Sequence, residues 1–270
     1  MSIKERLLNN SPFSPMIHSF LDNRSYKLQK QEFSEIVGNM DDYKDIHKNQ
    51  RCFIIGTGPS LRPSDLDKLK QHNEICFGSN RIYEIFDKTD WRPTYYANQD
   101  FQLIEKTFES IKKIKCERKF LPIDVKKYFE GENDISYFIL KHKDYYPKDA
   151  EFSFDLTDFV GQGFTVTYGL IQIAKYMGFN EIYLLGIDHN YSVSLNEKGV
   201  PVYNDTKDYF EGSKTTNQGI NLPRVVESTV AYMTAEKVSR KNNFRVFNAT
   251  RGGKLEAFER VDFDSLFEEL

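Results

Sequence analysis

The chain has 270 residues, 39% of them hydrophobic, which is enough for one large domain or a domain with appendages. A formal net charge of -3 excludes a global basic field, so nucleic acid is not an expected partner. Three widely spaced cysteines give no disulfide framework, and the absence of an 18-residue apolar run excludes a transmembrane helix; both fit a cytoplasmic protein. Residues 1–50 are polar and aromatic, with helical patterning near 15–25 and 30–38, and are expected to form an irregular N-terminal helical appendage. From residue 51 the character changes. Apolar strand-like runs fall at 52–56, 74–78, 94–98, 118–122, 135–140, 181–186 and 243–248, with helical patterns at 100–115, 165–178 and 224–240. That alternation predicts an α/β, Rossmann-like, mostly parallel sheet with helices on both faces, occupying residues 51–270. The stretch 190–222 is rich in Asn, Gly, Asp, Ser and Thr and reads as a lid over the ligand edge.

The first strand runs straight into Gly56-Thr57-Gly58-Pro59-Ser60. A strand, a glycine turn and a following helix can direct backbone N–H groups at a phosphate. Leu61 stands where the dinucleotide fingerprint would place its third glycine, and no Gly-Lys-Ser/Thr follows as in a Walker A loop. Pro59 has no N–H, but its fixed φ suits the first turn beyond the glycines. Further polar clusters close the next strands: Ser79-Asn80, Asn98-Gln99-Asp100 and Gly186-Ile187-Asp188-His189. Asn both donates and accepts, which suits a base edge or ribose hydroxyls, although helix capping is the plainer role for such residues.

These residues carry a resemblance. IIGTGPSL, GSN, YYANQD and the TVTYGL helix running into GFNEIYLLGIDHNY resemble the bacterial sialyltransferase-type glycosyltransferases. They are also similar to the family of motility-accessory and 6-hydroxymethylpterin pyrophosphokinase-like domains, which the closing FNATRGGKLEAFERVDFDSLF resembles especially. The resemblance implies a glycosyltransferase that moves a sugar from a CMP-linked or other nucleotide donor to a hydroxyl of a cell-surface glycan or its precursor. It places the donor on Gly56, Gly58, Ser60, Asn80, Asn98 and Thr165, with Asp188 near the ribose or ordering its loop; Thr57 and Pro59 of the same loop are counted with them, and Arg224 is a candidate to balance phosphate charge.

The sialyltransferases carry a histidine base just before the long C-terminal helix, and residues 221–227 here contain none. His189, Glu227 and Asp188 are the candidate bases, and the lid tyrosines Tyr191 and Tyr203 are candidate donors to the leaving phosphate. No cofactor is firmly implied. The five histidines lack metal-ligand spacing, so no metal site is expected; Mg²⁺ belongs to the alternative reading, a pyrophosphokinase-like phosphotransferase. A non-catalytic nucleotide-binding assembly module, dimerising through the first 50 residues, is a further alternative. The expected partners are the donor and a glycan acceptor, in a homo-oligomer that is cytoplasmic or held at the inner face of the membrane.

Overall fold

The computed structural model describes residues 24–268, apart from 143–144, 199, 212 and 214–222. The helical pattern expected over 15–25 therefore lies mostly outside the described residues. Strands β1 (Arg51–Ile55), β2 (Cys76–Ser79), β3 (Tyr95–Ala97), β4 (Arg118–Pro122) and β5 (Ile135–Phe138) follow one another outward from the centre of the sheet. The chain then returns to place β8 (Glu181–Leu185) on the other side of β1, with β11 (Arg245–Asn248) and β12 (Glu259–Arg260) beyond it. All pairings in this eight-stranded sheet are parallel, so the expected Rossmann-like α/β arrangement is present. Two short strands, β6 (Leu140–Lys141) and β7 (Val160–Gly161), pair beside it.

Period-two alternation explains why the sheet is covered on both faces. In β1, Cys52 and Ile54 enter one core while Phe53 and Ile55 enter the other. Helix α1 (Pro63–Gln71) and helix α2 (Phe101–Lys112) close the second core through Leu66, Leu69, Ile104 and Ile111. On the opposite face lie α3 (Val166–Tyr176) and α4 (Val225–Lys241). Ten of the eleven residues of α3 are buried, so it reads as apolar nearly all round. In-register aromatics also tie the central strands: Phe53 pairs with Tyr183, and Tyr183 with Phe247, at ring separations of 5.2 and 5.1 Å. Residues 24–32 and Ser34–Gly38 are helical, and Met40 just beyond is fully buried in the core.

The strand and helix expectations match these elements to within a few residues, and Gly178 ends α3 at φ 96° as a left-handed cap. The described residues within 190–213 are more ordered than the composition of that segment suggests. They include a hairpin, β9 (Val193–Leu195) against β10 (Pro201–Tyr203), whose turn is held by the Asn196 side chain accepting from the N–H groups of Lys198 and Val200. The hairpin is fastened further down by Asp208, which accepts from Ser192 N and Oγ. Phe210 N donates to Thr57 O, drawing the end of this segment onto the glycine loop.

Candidate functional site

The sheet order reverses between β1 and β8, and at such a switch point the loops leaving the strand C-termini diverge to leave a crevice. Ile55 is level with Leu185, so the Gly56–Ser60 loop and the Gly186–His189 turn start side by side. A cleft of about 180 Å³ opens there. Gly56, Thr57, Gly58, Asn80, Thr165, Asp188, His189 and Tyr191 line it, eight of the residues singled out from the sequence.

The glycine loop works differently from its expected role as an anion cradle. Gly56 N donates to Leu185 O, Gly58 N to Gly186 O, Leu61 N to Gly58 O and Ser60 N to Asp188 Oδ2. With Pro59 lacking a donor, only the Thr57 N–H of this loop has no acceptor among the described residues. The glycines serve close approach instead. A Cβ on Gly56 would overlap the Gly186 carbonyl and Ile187, and one on Gly58 would overlap the Asp188 carboxyl group.

Asp188 is held by Ser60, whose Oγ donates to Oδ2 at 2.7 Å, and from below by the turn after β11, where Lys254 N donates to Asp188 O at 2.7 Å. Burial raises its carboxyl pKa, with the Ser60 bonds opposing the shift. A carboxyl whose folded pKa lies above its unfolded value loses stability as pH rises between the two. The Tm of Asp188→Asn, which can still accept from Ser60, is therefore expected to gain on that of the wild type as pH rises from 4 to 7. A difference that stays flat across that range would contradict the assignment.

His189 is the most informative side chain in the cleft. Its Nε2 lies 2.7 Å from Thr229 Oγ1, and that hydroxyl already donates to Val225 O at 2.7 Å. With its one hydrogen engaged, Thr229 can only accept, so Nε2 carries the imidazole proton. Nδ1 is left as the lone-pair nitrogen, and it is buried without a hydrogen-bond partner. Burial also lowers the His189 pKa, which keeps the ring neutral near pH 7. The rings of Tyr191 and Tyr232 flank it at 5.8 and 5.4 Å. The backbone at His189 is left-handed, φ 50°. Of the non-glycine residues described with positive φ, only His189 and Phe164 are neither Asn nor Asp, the types that tolerate it best. Backbone strain of this kind concentrates where a side chain must be aimed.

The remaining sequence candidates lie elsewhere. Asn98 is fully buried behind the wall, its Oδ1 accepting from Asp100 N and its Nδ2 donating to Tyr96 OH. Ser60 and Pro59 back the loop without lining the cleft. Tyr203 is 62% exposed on the hairpin and lines neither this cleft nor its neighbour. Glu227 also lines neither. Burial pushes its pKa up, but hydrogen bonds from Arg224 outweigh this and hold it below the usual carboxylate range. Arg224 lines a second, adjoining cleft. Thr167, Asp208, Tyr209 and Tyr232 line the first cleft without having been singled out. Thr229 and Tyr232 were readable only as one face of a helix, at a spacing of three residues.

A family model described as "6-hydroxymethylpterin diphosphokinase MptE-like" matches residues 20–194. No curated protein matches the chain at a significant level. Among solved structures, the MAf glycosyltransferase from Magnetospirillum magneticum AMB-1 is similar at 16% identity and a TM-score of 0.48. The superposition covers 95% of this chain but 43% of that one, so the chain spans less than half the length of that enzyme. A likeness that loose leaves the chemistry to be argued from the cleft itself.

Proposed function

We propose that the switch-point cleft of this chain, which belongs to the 6-hydroxymethylpterin diphosphokinase MptE-like family, holds a nucleotide-activated, CMP-linked sugar and transfers the sugar to an acceptor hydroxyl. The observation that carries the reading is the neutral His189 of the cleft wall, fixed by Thr229 and keeping a buried Nδ1 with no hydrogen-bond partner. In the transfer step Nδ1 takes the proton of the acceptor hydroxyl as that oxygen bonds to the anomeric carbon. The bond from that carbon to the phosphate oxygen breaks, and CMP leaves with the electron pair. Thr57 N–H, Asn80, Tyr191 and Tyr209 surround the space where charge grows on the leaving phosphate and can donate to it.

Electrostatics favours a lightly charged donor. The described lining includes two carboxylates, Asp188 and Asp208, and its other polar side chains are neutral amides, hydroxyls and an imidazole. Such a wall repels a triphosphate more strongly than a single phosphodiester. The competing reading, diphosphoryl transfer from ATP, is favoured by the family's description and by those same two acids. It calls for Mg²⁺. Asp188 Oδ2 is already held by Ser60, and both Asp208 oxygens by Ser192, so the described residues do not form a magnesium cage. In the transferase reading the protein works in the cytoplasm, alone or at the inner face of the membrane, on a glycan or its precursor. Among the described residues no helix is long and apolar enough to cross a membrane.

The test is a ligand panel of CMP, CMP-, CDP-, UDP- and GDP-sugars and ATP–Mg²⁺. Saturating CMP at ~100 times its Kd should stabilise the fold by about 2.7 kcal/mol, a Tm rise of several degrees. Stabilisation by ATP–Mg²⁺ with none by CMP or CMP-sugars would overturn the proposal in favour of phosphotransfer. Binding of CMP-sugars without donor turnover would instead indicate a non-catalytic module.

A further inference from the structure

A second cleft of about 480 Å³ adjoins the first, and Asn80, Thr165, Val166, Tyr191 and Pro223 line both. Its own wall brings together amides and aromatic faces: Gln99, Gln102, Phe101, His142, Phe164 and Arg224. The rings of Phe101 and His142 lie 5.5 Å apart, tilted by 52°. The Arg224 guanidinium lies over the Phe164 ring at 3.8 Å. Phe164 is the other strained residue: its φ of 52° is a bulky side chain's left-handed outlier, and it directly follows Gly163 at φ 54°. Two consecutive left-handed residues place this half-buried ring beside Tyr145, at 5.6 Å, on the wall of the second cleft.

We infer that this second cleft is the acceptor site and that it takes an uncharged carbohydrate. The inference rests on the transferase reading for its purpose, but its binding chemistry is independent of it. Sugar rings are recognised by a flat apolar face under their C–H groups, with amides reaching their hydroxyls. The Phe164–Arg224 shelf supplies the face; Gln99, whose Nε2 donates to Gln162 O at 2.8 Å, and the exposed Gln102 line the same cleft. Charge sets the class. Among the described residues the charged ones lining it are Asp100 and Arg224, and Arg224 is additionally paired with Glu227 at 2.6 Å. The described wall therefore carries no positive excess for a uronate or sialylated acceptor. A hydroxyl bound here meets the donor across the shared wall of Asn80, Thr165 and Tyr191.

Saturation-transfer NMR on the full chain tests this, with methyl β-galactoside and methyl β-glucuronide as probes and CMP present throughout. The galactoside should bind, the glucuronide should bind more weakly, and CMP should not displace the galactoside. Phe164→Gly removes the ring at a φ that glycine adopts freely, and it should weaken galactoside binding about tenfold, equivalent to ~1.4 kcal/mol. Gln102→Ala, on an exposed first-turn position, provides a second variant that should weaken it if Phe164→Gly perturbs the fold. Unchanged galactoside binding in both variants, tighter binding of the glucuronide, or displacement by CMP would overturn the assignment. If CMP fails to bind while the galactoside still binds in a Phe164-dependent way, the donor reading falls and the cleft stands as a carbohydrate-binding site.

Discussion

Replacing His189 with asparagine is expected to lower sugar transfer by about 10²–10⁴-fold, the usual contribution of a positioned general base. Asparagine is the informative substitution because it tolerates the left-handed backbone at φ 50°, whereas alanine adds strain to the lost imidazole. The loss should appear equally in kcat and kcat/KM, because Nδ1 engages the acceptor proton only as the transition state forms. Nucleotide affinity should change little. The wild-type pH profile follows from the same geometry. Burial disfavours the imidazolium and lowers the folded pKa, so the base form predominates at neutral pH. Activity is expected to be flat above pH 7 and to fall as pH drops through that depressed value. A variant retaining transfer within a few-fold of the wild type would remove His189 from the mechanism.

Gly56→Ala is expected to destabilise the fold by about 1–3 kcal/mol and to abolish measurable nucleotide binding. The new methyl group would meet the Gly186 carbonyl, part of the backbone that sets the spacing of the two loops, and the Ile187 side chain. The Ile187 Cδ1 can rotate aside, but the carbonyl cannot withdraw easily, since Gly58 N is bonded to it. Relief of the clash must come from separating β1 and β8 at their C-terminal ends, which distorts the floor of the cleft. Urea unfolding would measure the first effect and calorimetry with CMP the second. Full binding in a destabilised protein would show that the loop spacing is irrelevant to the ligand.

Most of the architecture was legible from periodicity because the sheet is buried on both faces. Runs such as Cys52–Ile55 and Ile182–Leu185 had to be apolar throughout, and α3 had to be apolar all round. The hairpin of Val193–Leu195 and Pro201–Tyr203 was hidden because three-residue strands leave too little alternation to detect, and its fastening by Asp208 lies beyond the turn itself. The site divides in the same way. Strand-end position brought Asn80, Asp188 and His189 to the cleft, since topology alone carries strand C-termini to one edge. Position alone did not distinguish Asn98, which follows β3 yet turns inward to Tyr96 and Asp100. The role of the glycines was hidden too, because whether a glycine offers its N–H or yields space depends on a turn 130 residues away. The tautomer of His189 depends likewise on Thr229, forty residues on and on another element.

The most direct test of the account is the imidazole spectrum of His189, recorded by long-range proton–nitrogen NMR and assigned against His189→Asn, with and without CMP. The account predicts a neutral ring at pH 7 with the proton on Nε2, a pKa below 6.5, and resonances that shift when CMP enters the cleft. A proton on Nδ1, a pKa above 7, or a His189 signal indifferent to saturating CMP would contradict it.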